Sequence, residues 1–340
     1  MRRLHELYTA AEAAVMNDRT VEQGFLIPGF RSYYGDNIRV NILAMGDVGG
    51  TLALVMRLTG ADIVSKIGIC DISDVMLQRW EQELNQIALP SDHFAFPTVA
   101  PVRPADLFDC DVFVFCASRG VPEVSQTDVD VRMAQLEKNL ELVRAYARQA
   151  VGDGFDGEFF VVSDPVDPLC KGALLVGLLP QRVQGFGLGV MNGRAAYYSR
   201  QAVAAGDPTG EAVRRAMAAY LTEGRVFGPH GEDLIVANSI TDYDDEVSLR
   251  LTKLTTAANL KIRELGFKPY IAPAVTSGAL SILENLRGNW QYSSAWFGCA
   301  FLGMRNRRTK DGLLVEDLPL DDRLFARIER AYRNLERIEG

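Results

Sequence analysis

Between Ile38 and Asp71 the chain follows a pattern that few folds accommodate. Ile38-Arg-Val-Asn-Ile-Leu-Ala44 has strand character, Gly46-Asp-Val-Gly-Gly50 breaks it, and Thr51–Leu58 follows with helical spacing. Asp62–Cys70 then returns to strand character and stops at Asp71. A strand, a tight glycine turn, a helix and a second strand form a βαβ unit, which implies parallel strands joined by a right-handed crossover. The alternation continues with a helical stretch at Met76–Ile87 and a third apolar strand at Asp111–Cys116. Val129–Ala150 then reads as a long helix, with Val131, Leu136, Leu140, Val143 and Ala147 along one face. Phe159–Ser163 reads as a further strand, closed by Asp164-Pro165.

The turn Ala44-Met45-Gly46-Asp47-Val48-Gly49 lies directly between a strand and a helix. There Gly46 lets backbone approach a pyrophosphate, Gly49 permits close helix–strand packing, and the helix N-terminus favours negative charge. Ala44 occupies the place of the first glycine in the usual G-x-G-x-x-G, and a purely structural turn with a capping Asp is the competing reading. Asp71 favours the dinucleotide. It ends the next strand, 22 residues beyond Gly49, where a carboxylate accepts from both ribose hydroxyls and repels a 2′-phosphate, selecting NAD over NADP.

The pattern predicts an α/β chain: a Rossmann-type doubly wound parallel sheet followed by an α+β substrate or catalytic domain. The expected boundaries are an N-terminal arm at 1–36, the NAD-binding unit at 37–186 and the second domain at 187–340. The arm has helical spacing at Leu4, Leu7 and Ala11, and is expected to close a core within its own chain. Beyond Gly187 helices are expected at 192–205, 209–222 and 243–265, strands or turns at 225–240 and 288–316, and an amphipathic helix at 321–338.

Composition narrows the partners. With 36 Lys+Arg against 44 Asp+Glu the net charge is -8, which argues against nucleic acid, because that affinity comes from cations neutralising phosphates. The basic cluster Arg305 to Lys310 is expected to be a solvated loop. Apolar runs such as Ala173–Leu179 are far short of the ~20 residues that span a bilayer, so no membrane role is expected. Five cysteines without a C-x-x-C pair read as buried thiols of a cytoplasmic protein, with no zinc or other metal site. Three histidines, His5, His93 and His230, leave few places for imidazole chemistry.

Further motifs follow in a consistent order: Val112–Ala117, Arg132-x6-Asn139, Val162-Ser-Asp-Pro-Val-Asp167, Gly185-x-Gly187 with Arg194, and Gly228-Pro-His230-Gly231. Taken with the glycine loop and Asp71, they resemble the lactate/malate dehydrogenase family from about Asn37 to the C-terminal helix. The resemblance implies hydride transfer between the nicotinamide of NAD and C2 of a small 2-hydroxy or 2-oxo acid, in a homodimer or homotetramer. It assigns His230 as the acid–base residue, Arg194 as the carboxylate clamp and Arg132 as the arginine of the closing loop. Asn139 and Gln126 fall on the substrate side, and Cys116, Ala117 and Ser163 join Ala44, Gly46, Asp47, Val48, Gly49 and Asp71 around the cofactor. A satisfied structural imidazole competes for His230, and helix-surface ion pairs compete for the two arginines.

Three departures separate the chain from that family. The aspartate expected three residues before Arg194, which orients the histidine, is Met191, followed by Asn192. The asparagine of S-N-P-V-D is Asp164, which we expect to have become the partner of His230. The loop before Arg132 is longer, so the side-chain selector falls on Gln126 or, counted from the other end, on Glu123. Neither is arginine, so a second substrate carboxylate, as in malate, lacks its obvious partner; lactate-like, bulky or cationic side chains remain open, lactate-type chemistry being the conservative expectation. Met191 keeps open a catalytically impaired NAD-binding module, and Asp164 with Glu123 a reductase of an imine or another carbonyl.

Overall fold

Val112-Phe-Val-Phe115 shows how the sheet comes to be buried on both faces. Successive strand side chains point to opposite sides, and all four of these are 0 % exposed. Val112 and Val114 join Val40, Ile42, Leu52, Met56 and Ile282 on one side. Phe113 and Phe115 join Phe159, Val161, Leu140, Val143 and Leu169 on the other. A strand with two apolar faces needs a layer of helices over each.

The computed structural model describes residues 1–8, 24–31, 37–119, 129–204, 210–267 and 273–338, without the side chains of 129–135 and 273. The strands are β1 (Gly24–Pro28), β2 (Ile38–Leu43), β3 (Val64–Cys70), β4 (Thr98–Pro101), β5 (Val112–Phe115) and β6 (Glu158–Val161). They continue as β7 (Val183–Gly185), β8 (Arg225–Phe227), β9 (Ile235–Ala237), β10 (Gln291–Trp296), β11 (Phe301–Thr309) and β12 (Gly312–Glu316). The α-helices are α1 (Asp47–Thr59), α2 (Asp74–Asn85), α3 (Val129–Gly152), α4 (Val166–Leu174), α5 (Leu188–Ala204) and α6 (Glu211–Ala218). After them come α7 (Tyr220–Glu223), α8 (Asp245–Thr256), α9 (Ala258–Glu264), α10 (Thr276–Leu286) and α11 (Asp322–Arg337).

Six strands run parallel in the order β4-β3-β2-β5-β6-β7, the doubly wound arrangement expected. The chain leaves β2 toward β3 and β4, then crosses back to β5. The crevice beyond the carboxyl ends of β2 and β5 is therefore the topological switch point, where such sheets place ligands. Helices α1 and α10 cover one face, α3 and α4 the other. Beyond β7 the same sheet continues antiparallel through β10, β11, β12 and β1. The division expected at 186/187 thus falls inside one hydrogen-bonded sheet. β1 comes from the N-terminal arm and pairs along β12, while Leu4, Leu7 and Tyr8 pack with Phe25, Phe297 and Phe325 of the same chain. Residues 9–23 of the arm lie outside the described residues. No helix among the described residues is long and apolar enough to cross a membrane.

Several elements have no periodic signature. β4, Thr98-Val-Ala-Pro101, intervenes before the strand at 112–115, and β7 has three residues; segments so short cannot display a period. Helices α4 and α10 also went without an expectation: most of their residues are buried, Asp167, Ser281 and Asn285 among them, so polar side chains on inward positions blur the amphipathic pattern. The basic cluster is corrected outright. Arg305 to Arg308 lie on β11 instead of a solvated loop, and Arg308 is 1 % exposed. Its guanidinium pairs with Glu158 on β6 at 2.8 Å, donates to the Arg31 carbonyl at 2.8 Å and to Gln184, and lies over the Phe30 and Phe160 rings. The pair joins the parallel and antiparallel parts of the sheet.

Two stability predictions follow. Arg308→Met leaves Glu158 buried and unpaired, and is expected to destabilise the fold by about 3–5 kcal/mol in denaturant titrations, whereas Glu158→Met/Arg308→Met recovers most of that loss. Ala44 sits at φ 73, a left-handed conformation that costs a side-chain-bearing residue about 1–2 kcal/mol. Ala44→Gly removes that strain against a smaller entropy loss, so its free energy of unfolding in denaturant titrations should rise by up to about 1 kcal/mol.

Candidate functional site

The site is assembled from the ends of parallel strands. At the end of β2 the chain turns through Ala44, and Gly46 caps α1. A Cβ on Gly49 would lie 2.0 Å from the Ala44 carbonyl oxygen, so only glycine allows α1 to start this close to β2. A Cβ on Gly46 would meet nothing within 4 Å; its backbone faces open space at a helix N-terminus, as an approaching pyrophosphate requires. Asp47 and Val48 form the first turn of α1. Asp71, at the end of β3, accepts from the Met45 N–H at 2.6 Å and the Ser73 N–H at 2.9 Å, which holds the loop and the neighbouring strand end in register. The residues present fit a dinucleotide.

At the ends of β5 and β6, Ser163 Oγ donates to the Ala117 carbonyl at 2.8 Å. Asn139, on α3, is 0 % exposed. Its Oδ1 accepts from the Arg119 N–H at 2.8 Å, and its Nδ2 donates to the Asp164 carbonyl at 3.0 Å. This corrects its expected place on the substrate: Asn139 ties the two strand-end loops together from below. Cys116 packs in apolar surroundings, and burial pushes its thiol up to about 12, so it offers shape and no thiolate at neutral pH.

His230 projects from the loop between β8 and β9, after Gly228 at φ 86. Its ring lies against Gly187, where a Cβ would come within 2.7 Å of the imidazole Cγ. His230 Nδ1 is 2.8 Å from Asp164 Oδ1. Burial works against the imidazolium, but the adjacent Asp164 carboxylate outweighs it and lifts His230 above its ordinary value of 6.5; Arg194 opposes the rise. Sequence reasoning quoted Asp167 without giving it a role. Its buried carboxylate accepts from the His230 N–H at 3.3 Å and from Ser294 on β10, and burial pushes it up to about 6. Ser294 carried no sequence signal, because nothing local marks a strand serine as the neighbour of a distant loop.

Arg194 stands on α5, partly buried, and burial lowers its pKa. Among the described residues its hydrogen-bond partner is the Met191 sulfur at 3.8 Å, with no carboxylate in ion-pair contact. Met191 is 4 % exposed within the core formed by α5, α8 and β9, and Asn192 accepts from the Tyr220 hydroxyl. Neither replaces the missing aspartate. Arg132 lies on α3 with its side chain outside the described residues, and Gln126 and Glu123 are likewise outside them. From Arg194 a groove of about 610 Å³ opens between α5, α9 and the start of α10.

No family model matches the chain. Over 165 residues it is 27 % identical to L-lactate dehydrogenase 2 of Staphylococcus aureus, covering 48 % of this chain and 49 % of that protein. The chain thus matches about half the length of such curated relatives. Among solved structures, a lactate dehydrogenase from a Medee basin deep-sea metagenome library has a TM-score of 0.67 at 20 % identity, over 88 % of this chain and 97 % of that one. Malate dehydrogenase from Archaeoglobus fulgidus, solved in complex with NADH, has a TM-score of 0.67 at 18 % identity, with the same coverage. A minor L-lactate dehydrogenase from Enterococcus mundtii has a TM-score of 0.67 at 19 % identity, over 88 % and 96 %. The chain is built on the fold of the lactate and malate dehydrogenases and resembles L-lactate dehydrogenases in sequence along just under half of its own length, 48 %.

Proposed function

We propose that this protein is an NAD-dependent oxidoreductase that interconverts a 2-oxo acid and the corresponding 2-hydroxy acid. The observation that carries the reading is a partly buried arginine without a carboxylate partner among the described residues, in a site whose histidine is paired to an acid. Desolvating a guanidinium is costly unless an anion arrives to meet it, and a planar guanidinium holds a carboxylate through two parallel hydrogen bonds. Arg194 therefore orients the substrate carboxylate and presents C2.

The bound nicotinamide supplies the hydride in reduction and accepts it in oxidation. Protonated His230 donates to the carbonyl oxygen as negative charge develops there; in oxidation the neutral imidazole takes the hydroxyl proton. Asp164 holds the ring through Nδ1 and stabilises the imidazolium, as the third member of a triad does for its histidine. Gly46, Gly49, Asp71, Ala117 and Ser163 support the dinucleotide, and the resemblance assigns Arg132 to the closing loop. The same resemblance supports a homodimer or homotetramer. The impaired-module alternative rested on Met191; an acid within hydrogen-bond distance of His230 weighs against it.

NADH absorbance with a panel of 2-oxo acids tests the proposal. His230→Ala is expected to lower kcat by about 10²–10⁴-fold, with NADH binding by titration unchanged; absence of turnover with intact binding would favour the non-catalytic alternative. The pH profile tests Asp164. Reduction needs the imidazolium, so kcat/KM should hold at low pH and fall as pH rises through a His230 pKa above 6.5. Asp164→Asn removes the anion and should move that limb to lower pH; a limb that stays put refutes the pairing.

A further inference from the structure

We propose that the groove leading away from Arg194 receives the far end of the substrate, and that this end carries a second anionic group recognised by Lys261 and Arg200. The inference rests on the dehydrogenase reading and names the substrate class within it: 2-oxo acids with a long side chain ending in a carboxylate or a phosphonate.

Size is the first argument. The groove encloses about 610 Å³, in the range of about 300–1,000 Å³ that holds whole drug-sized ligands. A three-carbon 2-oxo acid clamped at Arg194 leaves most of it to water. Tyr197, Tyr198 and Ile262 line its length and supply apolar surface for intervening methylenes.

Charge is the second. Arg194, Arg200 and Lys261 all line the groove and, among the described residues, no acidic residue does, although the chain carries 44 acids against 36 bases. Lys261 and Arg200 form no ion pair among the described residues. Lys261 Nζ lies 4.7 Å from the centre of the Tyr198 ring, where a cation–π contact holds the ammonium over one face without using its hydrogen-bond donors. Three like charges around one groove repel each other until an anion neutralises them.

Matched substrates provide the test. NADH oxidation is compared for 2-oxoadipate, 2-oxo-4-phosphonobutyrate and uncharged 2-oxohexanoate, and calorimetry compares adipate with hexanoate independently of turnover. The expected result is at least a roughly tenfold preference in kcat/KM for a dianionic acid, expressed in KM and reduced by added salt as exposed charges are screened. The preferred anion identifies the distal group as carboxylate or phosphonate. Lys261→Met should remove most of the preference and Lys261→Arg should retain it. Turnover of 2-oxohexanoate as efficient as that of both dianions, insensitive to Lys261→Met, overturns the inference and leaves the dehydrogenase reading intact. Lys261-dependent adipate binding without turnover of any 2-oxo acid overturns the dehydrogenase reading, and the groove as a substrate site with it.

Discussion

The carboxylate of Asp167 is the point at which three remote pieces of chain meet. It sits in the first turn of α4, receives the Ser294 hydroxyl from β10 and the backbone N–H of His230 from the β8–β9 loop, and is 3 % exposed. A buried carboxylate has no water to fall back on, so its hydrogen bonds carry a large share of what fixes the loop. The ribbon of β8 and β9 is short, and the ring of His230 rests on the bare backbone of Gly187. The position of the imidazole therefore depends on the junction between the two parts of the sheet as much as on its own loop.

Apolar packing at position 191 and a carboxylate at position 164 have one physical explanation. Position 191 faces the apolar core between α5, α8 and β9, and methionine fills that space without the desolvation that a carboxylate would suffer there. The negative charge is found instead at the end of β6, on Asp164, whose side chain is 65 % exposed. A pair so open to water is weaker than a buried one, yet it suffices to lift the imidazole against its own burial.

Much of this was legible in the chain. The βαβ pattern, the glycine turn and Asp71 could be read because each is a short stretch in which backbone geometry demands particular residues. His230, Arg194 and the substitution at Asp164 could be named because their motifs are local. The role of Asn139 was misplaced, since its position in the motif says nothing of whether the amide faces the crevice or the strand-end loops. Arg308 was misjudged for a related reason: a run of basic residues reads as solvated unless its buried acidic partner, 150 positions away, is known.

The sequence by itself determined the order of strands and helices, the position of the glycine turn before α1 and the histidine proposed as acid–base residue, because these follow from local periodicity and from residue types that only certain backbone geometries accept. Only the tertiary structure decided that Asp164 reaches His230, that Arg194 opens into a cationic groove and that β1 seals the edge of the antiparallel strands. Those facts depend on distances between groups far apart in the chain, which packing of the two halves of the sheet sets and no local pattern encodes.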